Sequence, residues 1–159
     1  TTLVRALAGL VDPERGRVLL KGRTAGEMGW PEFRRSVVLV AQRPVMMEGT
    51  VRAGLERPFT YGTATGPFPR ERAGELLARL GLGGTLDQKA RSLSEGQQQR
   101  LSLVRALIVE PDVLLLDEPT SALDSDLVGS VEDILGEEAR ERGTAALIVT
   151  HEARQARRW

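Results

Sequence analysis

The 159-residue sequence has no cysteine, which excludes disulfides, thiolate zinc sites and cysteine nucleophiles and is compatible with a reducing compartment. Histidine occurs once, as His151. Neither sign of charge is in excess. Lys plus Arg and Asp plus Glu each total 22, so there is no general drive toward nucleic acid or an anionic membrane, and no nucleic-acid partner is expected. Long hydrophobic runs are missing as well. Stretches such as Val37–Ala41 and Val113–Leu116 are far too short to span a bilayer, so any link to a membrane is expected to run through a partner protein. Thr1–Leu10 lacks a basic leader and a cleavage site, so no signal peptide is read there. Both ends read as cut: residue 1 is Thr inside an amphipathic pattern, and Arg157-Arg158-Trp159 stops within a helical one. What is present, 41% hydrophobic and 28% charged residues, suits one globular domain with a real core.

Along the chain, Leu3, Val4, Leu7 and Leu10 recur at helical spacing, and Asp12–Gly16 is a turn. Val18-Leu19-Leu20 reads as a short strand and Pro31–Arg35 as a helical turn. Val37–Ala41 is β-branched and uniformly apolar, as for a strand buried on both faces. Residues 57–69 read as a loop, and 70–80 as a helix with Ala73, Leu76, Leu77 and Leu80 on one face. Ser94–Val109 is a second strong helix, Val113–Leu116 a buried strand, Leu127–Arg142 a helix and Ala145–Val149 a last buried strand. Strands alternating with helices predict an α/β fold with a parallel sheet. The stretch from about residue 50 to 109 interrupts that alternation and predicts an inserted helical subdomain, with 1–49 and 110–159 forming the core.

Two elements carry the chemistry. In Val113-Leu114-Leu115-Leu116-Asp117-Glu118, four apolar residues run into two carboxylates at a strand's carboxyl end, the edge where open α/β sheets bind ligands. In a nucleotide site, Asp117 would hold Mg²⁺ and Glu118 would orient or activate the attacking water. The same string reads equally as a core strand entering an acidic loop. In Leu93-Ser94-Glu95-Gly96-Gln97, Ser94 and Gln97 form a capping box that starts a helix. A helix start offers free N–H groups to a phosphate, and Gly96 keeps a side chain out of the way. Alone, it reads as an ordinary capped helix.

Taken in order, Leu93–Arg100, Ala106-Leu107 and Pro111–Asp124 closely resemble the ABC ATPase family. Ser94–Gln97 resembles its signature motif, Val113–Glu118 its Walker B and Ser121–Asp124 its D-loop. The resemblance implies a P-loop NTPase-type parallel sheet with helices on both faces. It implies that Gln42 is the Q-loop glutamine, near Mg²⁺, the attacking water and the transmembrane partner, and that His151 is the H-loop histidine, at the γ-phosphate and beside Glu118. Without it, Gln42 is a polar strand end and His151 a solvated loop histidine. Thr1-Thr2 resembles the end of a Walker A motif, G-x-x-x-x-G-K-[ST], with Thr1 a Mg²⁺ ligand and Thr2 beside the α-phosphate; the plain reading is a threonine N-cap. The glycines and lysine of that motif are not among these residues, so the chain is expected to begin just after the lysine. By itself it is then not expected to hold MgATP tightly. Glu95 stands where the family often has Gly, and is expected to face solvent.

The resemblance further implies binding of ATP and Mg²⁺ between two such domains in a head-to-tail dimer. Thr1, Gln42, Asp117 and His151 of one subunit would face the nucleotide. Ser94, Gly96 and Gln97 of the other would close over it, with Asp124 at the interface. Catalysis falls to Glu118, His151 and Gln42, and metal binding to Thr1, Gln42 and Asp117. The implied role is to power transport through a separate transmembrane permease, from a peripheral place on the cytoplasmic face. The strand leading into Walker A is expected beside Val113–Leu116. Met46–Val51 and Pro58-Phe59 faintly resemble subunits of metal or phosphate transport. The alternatives are a non-transport ABC ATPase and a catalytically incompetent fragment acting only by interaction. Against the DNA-repair and chromosome ATPases, residues 43–93 are too few for a long coiled coil and show no heptads.

Overall fold

Three stretches that read as apolar strands pair in the order β1-β2-β3, all parallel. They are β1 (Val37–Val40), β2 (Val113–Asp117) and β3 (Ala145–Val149). The computed structural model describes residues 1–121, 123–151 and 156. Ahead of β1 lie α1 (Thr2–Leu7), α2 (Ala25–Met28) and α3 (Trp30–Ser36). Between β1 and β2 there are only helices: α4 (Val51–Glu56), α5 (Arg70–Arg79), α6 (Glu95–Leu107) and short 3-10 turns at Arg57–Thr60 and Ala90–Ser92. The long α7 (Ser125–Arg142) links β2 to β3 and stops at Gly143, whose left-handed φ of 69° ends the helix.

Alternation along the strands sorts the core onto two faces. Val40, Leu114 and Leu116 join the inner faces of α4, α5, α6 and α7, including Leu55, Leu77, Leu103, Val104, Ile134 and Leu135. Val37 and Leu115 join Val4 and Ala8 at α1 and Phe33 of α3 on the other face. Helices therefore cover both faces of the sheet. The helical stretch shares a core with one face of the sheet. Each fully buried Leu or Ile on these faces contributes on the order of 1.5–3 kcal/mol.

Several expectations need correcting. Val18-Leu19-Leu20 forms no strand; Leu20 makes only an isolated antiparallel bridge with Arg23, because no strand lies beside it. In α1 the inward residues are Val4 and Ala8, whereas Leu3 and Leu10 are 67% and 56% exposed. β3 is not buried on both sides. Ala145, Ala146 and Leu147 are exposed, since β3 is a sheet edge. β2 has a partner on each side, so no further strand fits beside it; the open edges are those of β1 and β3. Among the described residues, no helix is long and apolar enough to cross a membrane.

Candidate functional site at the carboxyl edge of the sheet

In a parallel sheet all strands end on one edge, and here four of the residues singled out by sequence stand at or follow those strand ends. The register pairs Val40 with Leu116, Leu116 with Ile148 and Asp117 with Val149. Gln42, Asp117-Glu118 and His151 therefore emerge side by side from the ends of β1, β2 and β3. Gln42 and His151 are exposed, while Asp117 is 4% exposed.

Glu118 is the turning point. Its φ of 54° is left-handed, a conformation that costs a glutamate on the order of 1–3 kcal/mol. Hydrogen bonds hold it there. Its N–H donates to the Val149 carbonyl at 2.9 Å, and its own carbonyl accepts from Ser121 N and Oγ at 3.3 and 3.1 Å. The side chain is directed to His151, whose Nδ1 contacts Glu118 Oε1. A carboxylate held against an imidazole at a strand end is placed to hold and orient a water.

Thr1 caps α1 with no side-chain bond, so its hydroxyl is not used as a cap. Its backbone nitrogen lies 3.9 Å from Asp117 Oδ1. Among the described residues no group of three or more His, Cys, Asp or Glu gathers. Asp117 offers a buried carboxylate and Thr1, next to it, a hydroxyl, while Gln42 follows the end of the neighbouring β1. Such an oxygen-rich, singly charged set suits a hard cation that keeps several waters, as Mg²⁺ does.

Ser94, Gly96 and Gln97 stand at the start of α6. The capping box forms as expected: Ser94 Oγ accepts from Gln97 N at 3.3 Å, and Ser94 N donates to Gln97 Oε1 at 2.9 Å. Glu95 is exposed, as expected. Among the described residues no hydrogen bond or ion pair joins this group to Asp117, Glu118 or His151. Thr2 is exposed in the first turn of α1. Asp124 is exposed at the N-cap of α7 and makes no side-chain cap; its carbonyl accepts from Leu127 and Val128 N at 3.0 Å each.

Residues that the sequence reading passed over surround Gln42. Gln99 Nε2 reaches the Ala41 carbonyl at 3.5 Å, and Arg105 Nη1 the Val45 carbonyl at 3.3 Å. Burial, and secondarily the nearby Arg57, hold the Arg105 guanidinium below its ordinary value. Gln99 sits four and seven residues before inward-facing Leu103 and Ala106, and that spacing was the available signal. An apolar groove of about 920 Å³, lined among others by Val38, Val40, Val45 and Arg105, runs beside this segment.

A three-layered parallel α/β fold with acidic residues at the end of its central strand is the P-loop NTPase type. A family model described as ABC transporter matches residues 1–121, and the chain belongs to that family. It is 40% identical over 98% of its length to the spermidine/putrescine import ATP-binding protein of Frankia alni, of which it spans 33%. It is 36% identical to the lipoprotein-releasing system ATP-binding protein of Pseudomonas fluorescens, over 99% of this chain and 71% of that one. The solved structure of an ATP-binding subunit of an ABC transporter superposes with a TM-score of 0.89 at 25% identity, covering 99% of this chain and 65% of the other. A dimeric post-hydrolysis ATP-binding cassette bound to ADP and Pi gives 0.85 at 30%, covering 98% and 71%.

Proposed function

We propose that this chain is the nucleotide-binding and catalytic part of a subunit that hydrolyses ATP to power transport through a separate transmembrane permease. The observation that carries the reading is the carboxyl edge of β2, with Asp117 buried, Glu118 locked in a left-handed turn and His151 against its carboxylate. Glu118 orients and deprotonates the attacking water, and His151 holds the Glu118 carboxylate in place. Thr1, Asp117 and Gln42 would hold Mg²⁺, which would supply charge compensation at the phosphates. Thr2 lies along the nucleotide.

The unlinked position of Ser94, Gly96 and Gln97 supports a head-to-tail pair of these domains, in which one subunit's α6 start closes over nucleotide held by the other. Exposed Asp124 then lies at the interface. A solved relative that is dimeric and bound to ADP and Pi supports pairing of such domains. Residues 1–49 and 110–159 act as the core and 50–109 as a helical subdomain. The groove beside Gln42, with Arg34, Arg35, Arg43 and Arg105 along it, suits contact with the permease. That contact places the subunit peripherally on the cytoplasmic face. Relatives are named for polyamine import, lipoprotein release, thiamine import and Fe(3+) ion import, so a metal is among the cargoes they carry but the set selects no single one.

The test is Glu118→Gln in the full-length protein that carries this sequence. ATP binding is expected to persist while turnover falls on the order of 10²-fold or more. Unchanged steady-state ATPase activity would remove the role assigned to Glu118.

A further inference from the structure

The segment carrying Gln42 leaves β1 and reaches Gly49 without regular structure. Its carbonyls lie beside a packed core and need donors. Three of them are met from one direction: Ala41 by Gln99 Nε2 at 3.5 Å, Val45 by Arg105 Nη1 at 3.3 Å and Met46 by Arg91 Nε at 3.3 Å. Gln99 and Arg105 stand on α6, and Arg91 lies in the 3-10 turn that leads into it. The segment is thus strapped by side chains to the same helix whose start carries Ser94 and Gly96.

Gln99 is the unusual member of the strap. It is 3% exposed on the inward face of α6, and among the described residues its buried Oε1 has no partner. A buried acceptor without a donor lowers stability, so packing alone does not account for a glutamine here. Its bond to the Ala41 carbonyl is at the outer limit of hydrogen-bond geometry and tightens if the Gln42 segment approaches α6.

We infer that Gln99 is a positioning residue for Gln42. Its amide fixes the Ala41 carbonyl and with it the direction in which the next residue offers its side chain to the edge of β2. The position of Gln42 is thereby tied to that of the α6 start within the same subunit. The inference rests on the ATPase reading above.

Four forms of the full-length protein test it: wild type, Gln42→Ala, Gln99→Met and the double variant. Gln99→Met keeps the volume and removes both the donor and the orphaned acceptor. It is expected to melt no lower than wild type, to lower kcat about tenfold and to leave KM for ATP within about twofold. In the Gln42→Ala background the same substitution is expected to change kcat by less than about twofold. An unchanged kcat, or equal losses in both backgrounds, overturns the inference. If Gln99→Met does not fold, Arg105→Met, which frees the Val45 carbonyl, runs the same cycle with the same expected and overturning results. No MgATP hydrolysis by the wild type overturns the ATPase reading and this inference with it; hydrolysis with additive losses overturns this inference alone.

Discussion

Glu118 shows how much of the site is backbone. A side chain at the end of a strand points along one of the sheet's faces, but a left-handed residue redirects both chain and side chain. The sequence marks the two carboxylates, while the turn that separates their directions depends on Ser121 and Val149, which no local pattern connects. Gly9 is a residue of the same kind. Its φ is 66°, and a Cβ there would stand 2.6 Å from Cζ3 of Trp30. Gly9→Ala is therefore expected to destabilise the protein by about 1–2 kcal/mol, through the strained conformation and the displaced indole together. Chemical denaturation measures this. A loss under a few tenths of a kcal/mol would mean that Trp30, itself 42% exposed, swings aside without cost.

Among the elements, helices were more legible than strands. The periodic residues of α5 and the capping box of α6 are local signals, and both elements formed where the pattern put them. Strand formation depends on a neighbour far along the chain. Val18–Leu20 has the composition of a strand but, among the described residues, only the isolated Leu20–Arg23 bridge, whereas Val113–Asp117 has a strand on each side. Apolar composition likewise could not distinguish the central position of β2 from the edge position of β3. The α6 cap gives a prediction at this scale. Ser94→Ala is expected to cost about 1 kcal/mol and Ser94→Gly only a few tenths, because glycine tolerates the cap conformation. Both remove the hydroxyl, so on the proposed function both lower ATPase activity to a similar extent. Thermal melts and steady-state assays of the two variants separate these effects. Activity that follows stability would reduce Ser94 to a cap.

For the whole molecule, the parallel sheet does most of the functional work by bringing three distant segments to one edge. The alternation of strands and helices made that edge legible, and Gln42, Asp117-Glu118 and His151 stand at or follow the ends of its three strands. The straps behind Gln42 were not legible, since they join positions about sixty apart in sequence through side chains to carbonyls. The same sheet has an exposed flank. Among the described residues β3 bonds to β2 on one side only, and its other side presents backbone groups along a run of Ala145, Ala146 and Leu147, the last 39% exposed. Edges of this kind recruit further strands unless a charge, a bulge or a covering element blocks them. None of the residues 145–149 is charged or proline. The 159-residue chain is accordingly expected to self-associate as its concentration rises, and Leu147→Lys to shift it toward monomer by setting an ammonium on the edge. Sedimentation velocity over a concentration series reads both. A chain that stays monomeric at roughly 100 μM, far into the range where exposed edges associate, would show that the β3 flank is no pairing surface.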